Sequence, residues 1–185
     1  DGGGIYNNGN LTVNNCTFYN NSAGHGSGDE WGGAIYNKNG NLTVNNCTFI
    51  ENAGNGGAIF SESGSVYVSN STFKDNYGGM GGAIGSTGSV TVVNSKFINN
   101  SAVQAGGDIG ILEAGASIYV RNPSFIESRG GMFGGSIVST GGSVSVADSK
   151  FQNCQAQNGT DILSYGNVTL IANSYDGKIN YNSTE

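Results

Sequence analysis

The stretch Gly32–Phe49, which reads GGAIYNKNGNLTVNNCTF, combines a glycine pair, an isoleucine, a polar turn, the alternating run LTV and a phenylalanine. Similar stretches follow one another along the whole chain. A Gly-Gly-x-Ile unit, or a variant of it, begins at seven glycines: Gly2, Gly32, Gly56, Gly81, Gly106, Gly134 and, in degenerate form, Gly159. The intervals of 30, 24, 25, 25, 28 and 25 residues define a repeat of about 25 residues, which is typical of solenoids.

Each repeat contains three short apolar runs. The first carries an isoleucine in every repeat: Ile5, Ile35, Ile59, Ile84, Ile109, Ile137 and Ile162. The second alternates with a period of two, and its apolar positions form two columns: Leu11, Leu42, Val66, Val90, Ile118, Val144, Val168 and Val13, Val44, Val68, Val92, Val120, Val146, Leu170. The third carries a phenylalanine in six repeats: Phe18, Phe49, Phe73, Phe97, Phe125 and Phe151. Such alternation predicts half-buried strands, and frequent Gly, Asn, Ser and Thr disfavour helices.

We therefore predict an all-β fold, a right-handed parallel β-helix of about seven coils with three short strands per coil. The whole chain, residues 1–185, forms one such domain, whose coils begin at the seven glycines named above. Equivalent strands should lie about 4.8 Å apart, so that the inward columns become continuous apolar stacks. The last coil is expected to be irregular, because Gly159-Thr160 replaces the glycine pair and Tyr175-Asp176 stands where phenylalanine is expected.

One corner of the coil has a constant length, since five residues always separate the second apolar column from the phenylalanine. An asparagine column lies in this corner: Asn15, Asn46, Asn70, Asn94, Asn122, Asp148 and Asn173. Asparagine tolerates the left-handed conformation of a sharp turn, and stacked amides can hydrogen-bond along the column. A second polar column follows the phenylalanine: Asn21, Asn52, Asn76, Asn100, Ser128 and Cys154.

The amino-acid composition disfavours several classes of function. The net charge is −6 and the seven Lys and Arg residues are scattered singly, which argues against nucleic acids and anionic membranes as partners. No apolar run approaches the roughly 18 residues that span a bilayer, so membrane insertion is not expected. Metal-ligand spacings and cofactor motifs are missing from the sequence, and we expect neither a metal nor a cofactor.

The repeat also resembles known families. The unit GGAI followed by FxxN, at Phe49–Asn52, Phe73–Asn76 and Phe97–Asn100, is similar to the repeat of chlamydial polymorphic membrane proteins. The fuller pattern GGAIYN…NLTVNNCTFxxN looks more like the adhesin-like surface proteins of methanogenic archaea. This resemblance implies an extracellular, non-enzymatic β-helical stalk or adhesin at the cell surface, of archaeal type.

The main alternative is a carbohydrate-active β-helix enzyme, a polysaccharide lyase or hydrolase. Glycoside hydrolysis needs two carboxyl groups that flank the cleaved bond. Asp108 and Asp161 occupy the same repeat position two coils apart, roughly 9.6 Å from the strand spacing, with Ser136 between them. The simpler interpretation is two exposed acids at a turn that elsewhere holds Gly4, Ala34, Ala58 and Ala83. We therefore assign no catalytic residue.

Two insertions depart from the repeat and are the candidate partner-contact segments. Ser22–Trp31 contains the only histidine and tryptophan of the chain, and its candidate contact residues are His25, Asp29, Glu30 and Trp31. Gly110–Ser117 contributes Ile111 and Leu112, which would contact a partner if exposed and cover the coil if folded over it. Loops on a rigid scaffold are frequent binding sites.

Cys16 and Cys47 share a column one coil apart, a distance that a disulfide can bridge, and two stacked free thiols are the alternative. Of ten N-x-Ser/Thr sequons, Asn20, Asn99 and Asn158 lie at looser turns and are the best candidates for glycosylation.

The expected partners are surface glycans or proteins, or a second copy of the chain. Open strand edges invite further pairing, so coils can stack head to tail into a filament.

Overall fold

The computed structural model describes residues 2–24, 31–157, 161–176 and 180–181, and every regular element within these ranges is a β-strand. Three long parallel sheets, which the chain visits in turn once per coil, form the body of the molecule. The predicted parallel solenoid with three strands per coil is confirmed, with strands from seven coils in sheets B and C and eight strands in sheet A.

Sheets A and B contain the strands of the first and second apolar runs. Sheet A consists of β1 (Ile5–Asn8), β4 (Ile35–Asn39), β8 (Ile59–Ser61), β12 (Ile84–Ser86), β16 (Ile109–Ile111), β20 (Ile137–Ser139), β23 (Ile162–Ser164) and β26 (Asn180–Tyr181). Sheet B consists of β2 (Leu11–Asn14), β5 (Leu42–Asn45), β9 (Val66–Ser69), β13 (Val90–Val93), β17 (Ile118–Arg121), β21 (Val144–Ala147) and β24 (Val168–Ile171).

Sheet C contains the phenylalanine strands, and a fourth sheet D occupies the corner after it. Sheet C consists of β3 (Thr17–Tyr19), β6 (Thr48–Ile50), β10 (Thr72–Lys74), β14 (Lys96–Ile98), β18 (Ser124–Ile126), β22 (Lys150–Gln152) and β25 (Ser174–Tyr175). Sheet D consists of β7 (Ala53–Gly54), β11 (Tyr77–Gly78), β15 (Ser101–Ala102) and β19 (Arg129–Gly130). The apolar pattern did not predict sheet D, because its two-residue strands are too short to alternate.

Backbone pairing places equivalent residues of successive coils beside one another. Thr72 to Lys74, for example, pair residue by residue with Lys96 to Ile98. The predicted columns are therefore confirmed. The isoleucines, the valines and the phenylalanines of the central coils are fully buried. The phenylalanine rings form one continuous stack, with centroid separations of 4.7 to 5.0 Å from Phe18 to Phe151.

Two corners of the coil require left-handed backbone conformations. In the constant corner between sheets B and C, the positive φ angles, between 49° and 57°, occur at Asn15, Asn46, Asn70, Asn94, Asn122, Asp148 and Ala172. Ala172, not the expected Asn173, therefore holds the corner position of the last coil. A second left-handed column, missed in the sequence, follows sheet C at Asn20, Glu51, Asp75, Asn99, Glu127 and Asn153.

The glycine pair is required because neighbouring coils touch there. A Cβ atom on Gly82 would lie 2.1 Å from the carbonyl oxygen of Gly107, and one on Gly107 would lie 2.3 Å from that of Gly135. These distances are far below van der Waals contact. The glycine pair therefore recurs in the repeats because a side chain at these positions would collide with the backbone of the next coil.

The described strands of the last coil continue the three long sheets despite its irregular sequence. Tyr175 takes the phenylalanine position, with its ring 4.9 Å from that of Phe151. The following strand β26 pairs in parallel with β23 and continues sheet A.

The aromatic stack leads to a prediction about stability. Replacing Phe73 with alanine leaves a cavity between Phe49 and Phe97 and should lower the free energy of unfolding by about 3–5 kcal/mol. Tyr67→Ala, in the same coil but on the exposed outer face, should change it by about 0.5 kcal/mol or less. Urea unfolding followed by circular dichroism measures both, and equal losses in the two variants would contradict the role of the stack.

Candidate functional site

The polar column that follows the phenylalanine is a buried amide ladder. Asn52, Asn76 and Asn100 are fully or almost fully buried. Each side-chain amide donates to the Oδ1 atom of the next asparagine, at 2.9 Å from Asn21 to Asn52, 3.0 Å from Asn52 to Asn76 and 2.9 Å from Asn76 to Asn100. The same amides also donate to backbone carbonyl groups, so the ladder ties sheet C to the corner beyond it.

The ladder ends at a carboxyl group. The amide of Asn100 donates to Oδ1 of Asp108 over 2.9 Å. Beyond this point the ladder column holds the smaller Ser128 and Cys154, and the column facing it changes from alanine to Asp108, Ser136 and Asp161. Where the residues of the ladder column become smaller, the residues of the facing column become larger.

Asp108, Ser128, Ser136, Cys154 and Asp161 form what we call the buried carboxyl cluster. All five are buried, and both aspartates have no measurable exposure. The Ser136 hydroxyl donates to Sγ of Cys154 over 3.0 Å. Oδ2 of Asp108 and both carboxyl oxygens of Asp161 have no hydrogen-bond partner among the described residues, and the Ser128 hydroxyl faces Asp108 without reaching hydrogen-bond geometry.

Burial dominates the electrostatics of the cluster. It raises the pKa of Asp108 to about 7, although the hydroxyl of Ser128, the amide of Asn100 and the hydroxyl of Ser136 act in the opposite direction. The pKa of Asp161 also rises to about 7, first by burial and then by the negative charge of Asp176. Burial likewise raises the pKa of Cys154 to about 11.

The sequence interpretation of Asp108 and Asp161 as exposed acids is wrong, because both side chains are fully buried. The residue before the isoleucine faces inward at the corner, as Ala34 and Ala58 do in earlier coils. Both carboxyl groups are fully buried and are not open to a polysaccharide chain in this structure. Within the described ranges, no group of three or more His, Cys, Asp and Glu side chains is arranged to hold a metal ion.

The first insertion covers the coil at its described end. The Trp31 ring stacks on Phe60 with a centroid separation of 4.6 Å and an interplanar angle of 21°. Trp31 therefore shields the outer face of sheet A, where Phe60 is almost completely buried. His25, Asp29 and Glu30 lie outside the described residues.

The second insertion does not form the predicted exposed contact. Ile111 ends strand β16 and is fully buried in the main core. Leu112 is half-buried and packs against a small outer cluster of Ala105, Val138 and Leu163. The prediction of a partner contact at Ile111 is thus wrong, because this residue continues the inward face of sheet A.

Sheet B presents the most regular open surface. Its outward column, aligned by the strand register, is Thr12, Thr43, Tyr67, Thr91, Tyr119, Ser145 and Thr169. The tyrosines are each 42% exposed and lie two coils apart, about 9.6 Å by strand spacing. Arg121 is the one charged residue in the strands of this sheet, and it pairs with Asp148 over 3.4 Å.

Comparison with protein families gives one match. The model of the right-handed β-helix region matches residues 1–125, which is more than half of the chain. The chain belongs to the right-handed β-helix family. Comparisons with curated proteins and with solved structures give no significant match. No helix in the described parts of this β-helix is long and apolar enough to cross a membrane.

The cysteines of the β-helix are all free, so the structure does not contain the Cys16–Cys47 disulfide. Both thiols point along the corner instead, with each Sγ 3.2 Å from a carbonyl oxygen two residues earlier, at Asn14 and Asn45. Sγ of Cys47 also accepts from the backbone N–H of Cys16 over 3.4 Å. Ser71 makes the same contacts one coil further on, so the thiols replace serine hydroxyls in this column.

The sequons differ in accessibility. Asn20 is exposed at a left-handed corner. The Asn99 amide nitrogen donates to Asp75 over 2.7 Å, and its oxygen accepts from Arg129, so a glycan there would displace an existing hydrogen bond. Asn158 lies outside the described residues.

The thiol environments predict a labelling pattern. Cys16 is exposed, whereas Cys47 and Cys154 are buried and burial raises the pKa of both thiols. Iodoacetamide should therefore modify Cys16 first in the folded protein and all three cysteines after unfolding without reductant. Intact mass spectrometry measures the labels, and a single label after unfolding would show that two cysteines are joined.

Proposed function

We propose that this β-helix is a non-enzymatic structural or adhesion module of the cell surface, a rigid rod that presents its outer faces to extracellular partners. The observation that carries the proposal is how side-chain chemistry is distributed. The best candidate catalytic carboxyl groups, Asp108 and Asp161, are buried, while sheet B offers a long, nearly uncharged outer face of hydroxyl and amide groups.

Sheet B is the face that we propose contacts a partner. Tyr67 and Tyr119 place two exposed rings on one line along the rod, with the Thr91 hydroxyl between them. Aromatic rings offer a flat apolar surface with a polar tip, and hydroxyl and amide groups exchange hydrogen bonds with other polar groups. This chemistry suits an uncharged surface glycan better than a polyanion.

A glycan array tests this proposal. Tyr67→Ala/Tyr119→Ala should weaken any binding by about tenfold or more, because each lost aromatic contact contributes about 0.5–1.5 kcal/mol. Tyr77→Ala, which removes an exposed tyrosine from sheet D, is the matched control and should leave binding unchanged. Trp31→Ala measures whether the first insertion contributes to glycan binding independently of sheet B. Binding that survives the double variant and is lost with Tyr77 would contradict the assignment to sheet B.

Absence of turnover is the second expectation. Neutral and acidic polysaccharides incubated with the protein should release no new chain ends. Turnover that Asp108→Asn and Asp161→Asn both abolish would replace the proposal with the carbohydrate-active enzyme.

Self-association is the second part of the proposal. Among the described strands, β1, β2 and β3 each pair on one side only, and we propose that this edge accepts a coil of a second copy. Sedimentation at increasing concentration should show end-to-end growth, and monomers at every concentration would contradict it.

A further inference from the structure

Asp108 and Asp161 stand at a buried repeat position where four earlier coils have glycine or alanine. Gly4, Ala34, Ala58 and Ala83 occupy the same column, and the three alanines are fully buried. Both carboxyl groups at this position are likewise fully buried. The two aspartates are thus interior groups that the repeat itself does not require.

Among the described residues, no positive charge balances the two carboxyl groups. Every lysine and arginine in the described part of the chain is exposed: Lys38, Lys74, Lys96, Arg121, Arg129 and Lys150. The groups that face Asp108 are Asn100 from the amide ladder, Ser128 and Ser136 from the coils around it, and the Cys154 thiol. Among the described residues, the groups that face Asp161 are the Cys154 thiol, the buried Tyr175 hydroxyl and, at the surface, the acidic Asp176.

A neutral carboxyl group fits this environment better than a carboxylate. Protonated Asp108 keeps a carbonyl oxygen that accepts from Asn100 and gains a hydroxyl on the unpartnered Oδ2. An ionised Asp161 would bury a charge to which no described residue donates a hydrogen bond, and an unpaired buried charge is among the costliest arrangements in a protein interior.

We propose that Asp108 and Asp161 form a proton-dependent lock in coils five to seven, closed while both carboxyl groups are protonated and opened when they ionise. Opening means that the C-terminal coils lose their packing before the others. Solenoids allow this, because each coil contacts only its neighbours and local stability varies along the rod.

The direction of the pH dependence follows from the pKa values. Both carboxyl groups have a folded pKa of about 7 against an ordinary value of 3.8. Between these values the folded state holds protons that the unfolded state has released, so stability falls as the pH rises from about 4 to about 7. Above that range the loss is complete and the curve flattens.

Thermal unfolding at pH 5 and pH 8.5 tests the lock. The melting temperature of the unmodified chain should drop by about 10 °C or more between the two values. Asp108→Asn/Asp161→Asn, whose amides resemble protonated carboxyl groups in shape, should show little of this drop. Asp148→Asn removes an exposed carboxylate from a left-handed corner where other coils have asparagine, and should keep the full drop.

Hydrogen exchange locates the opening without any variant. After correction for the intrinsic pH dependence, amides of β16 to β24 should lose protection at pH 8.5, while those of β4 to β10 keep it. Uniform loss along the rod, or equal pH profiles in the unmodified chain and the double asparagine variant, would overturn the proposal. Stabilisation by calcium at pH 8.5 that the double variant abolishes would overturn it as well, since a cation would then balance the carboxylates.

Discussion

The register of parallel pairing between successive coils is the constraint on which the rest of the structure depends. Because Ile59 pairs with Ile84 and Phe73 with Phe97, residues at the same repeat position lie beside one another in successive coils of the described structure. Apolar stacks, amide ladders and the glycine contact between coils all follow from this alignment. A slip of one residue would turn every inward column outward.

The same register explains why polar groups can be buried. An asparagine amide has donors and acceptors, so a stack of identical asparagines satisfies itself from Asn21 to Asn100. A ladder of this kind needs an acceptor where it ends, and Asp108 supplies one. This acceptor places a carboxyl group in an apolar interior, and Asp161 places a second one there two coils later, without a hydrogen-bond partner among the described residues. Side-chain identity, not backbone geometry, therefore makes the C-terminal coils different from the others.

The repeat made most of the fold predictable, and the departures from it were harder to place. Columns of Ile, Val and Phe predicted the three sheets, because buried positions hold apolar residues and these residues recur in the sequence at regular intervals. Ile111 and Asp108 were misplaced because an inward position at a corner is recognised by the backbone path, and a single chain does not show that path. Sheet D was not predictable because its two-residue strands are too short to show a hydrophobic pattern. The left-handed conformations of Glu51 and Glu127 were not predictable because glutamate is not a residue type that indicates such a conformation.

Removal of one whole coil tests most directly whether stacked register specifies this molecule. Deleting residues 81–105 joins Met80 to Gly106, and Phe73 would then stack on Phe125 while Asn76 faces Asp108. Far-UV circular dichroism of this variant should show a folded β-protein that unfolds cooperatively in urea, whereas deletion of residues 81–92, about half a coil, should prevent folding. An unfolded whole-coil variant, or two deletions with the same outcome, would contradict the account.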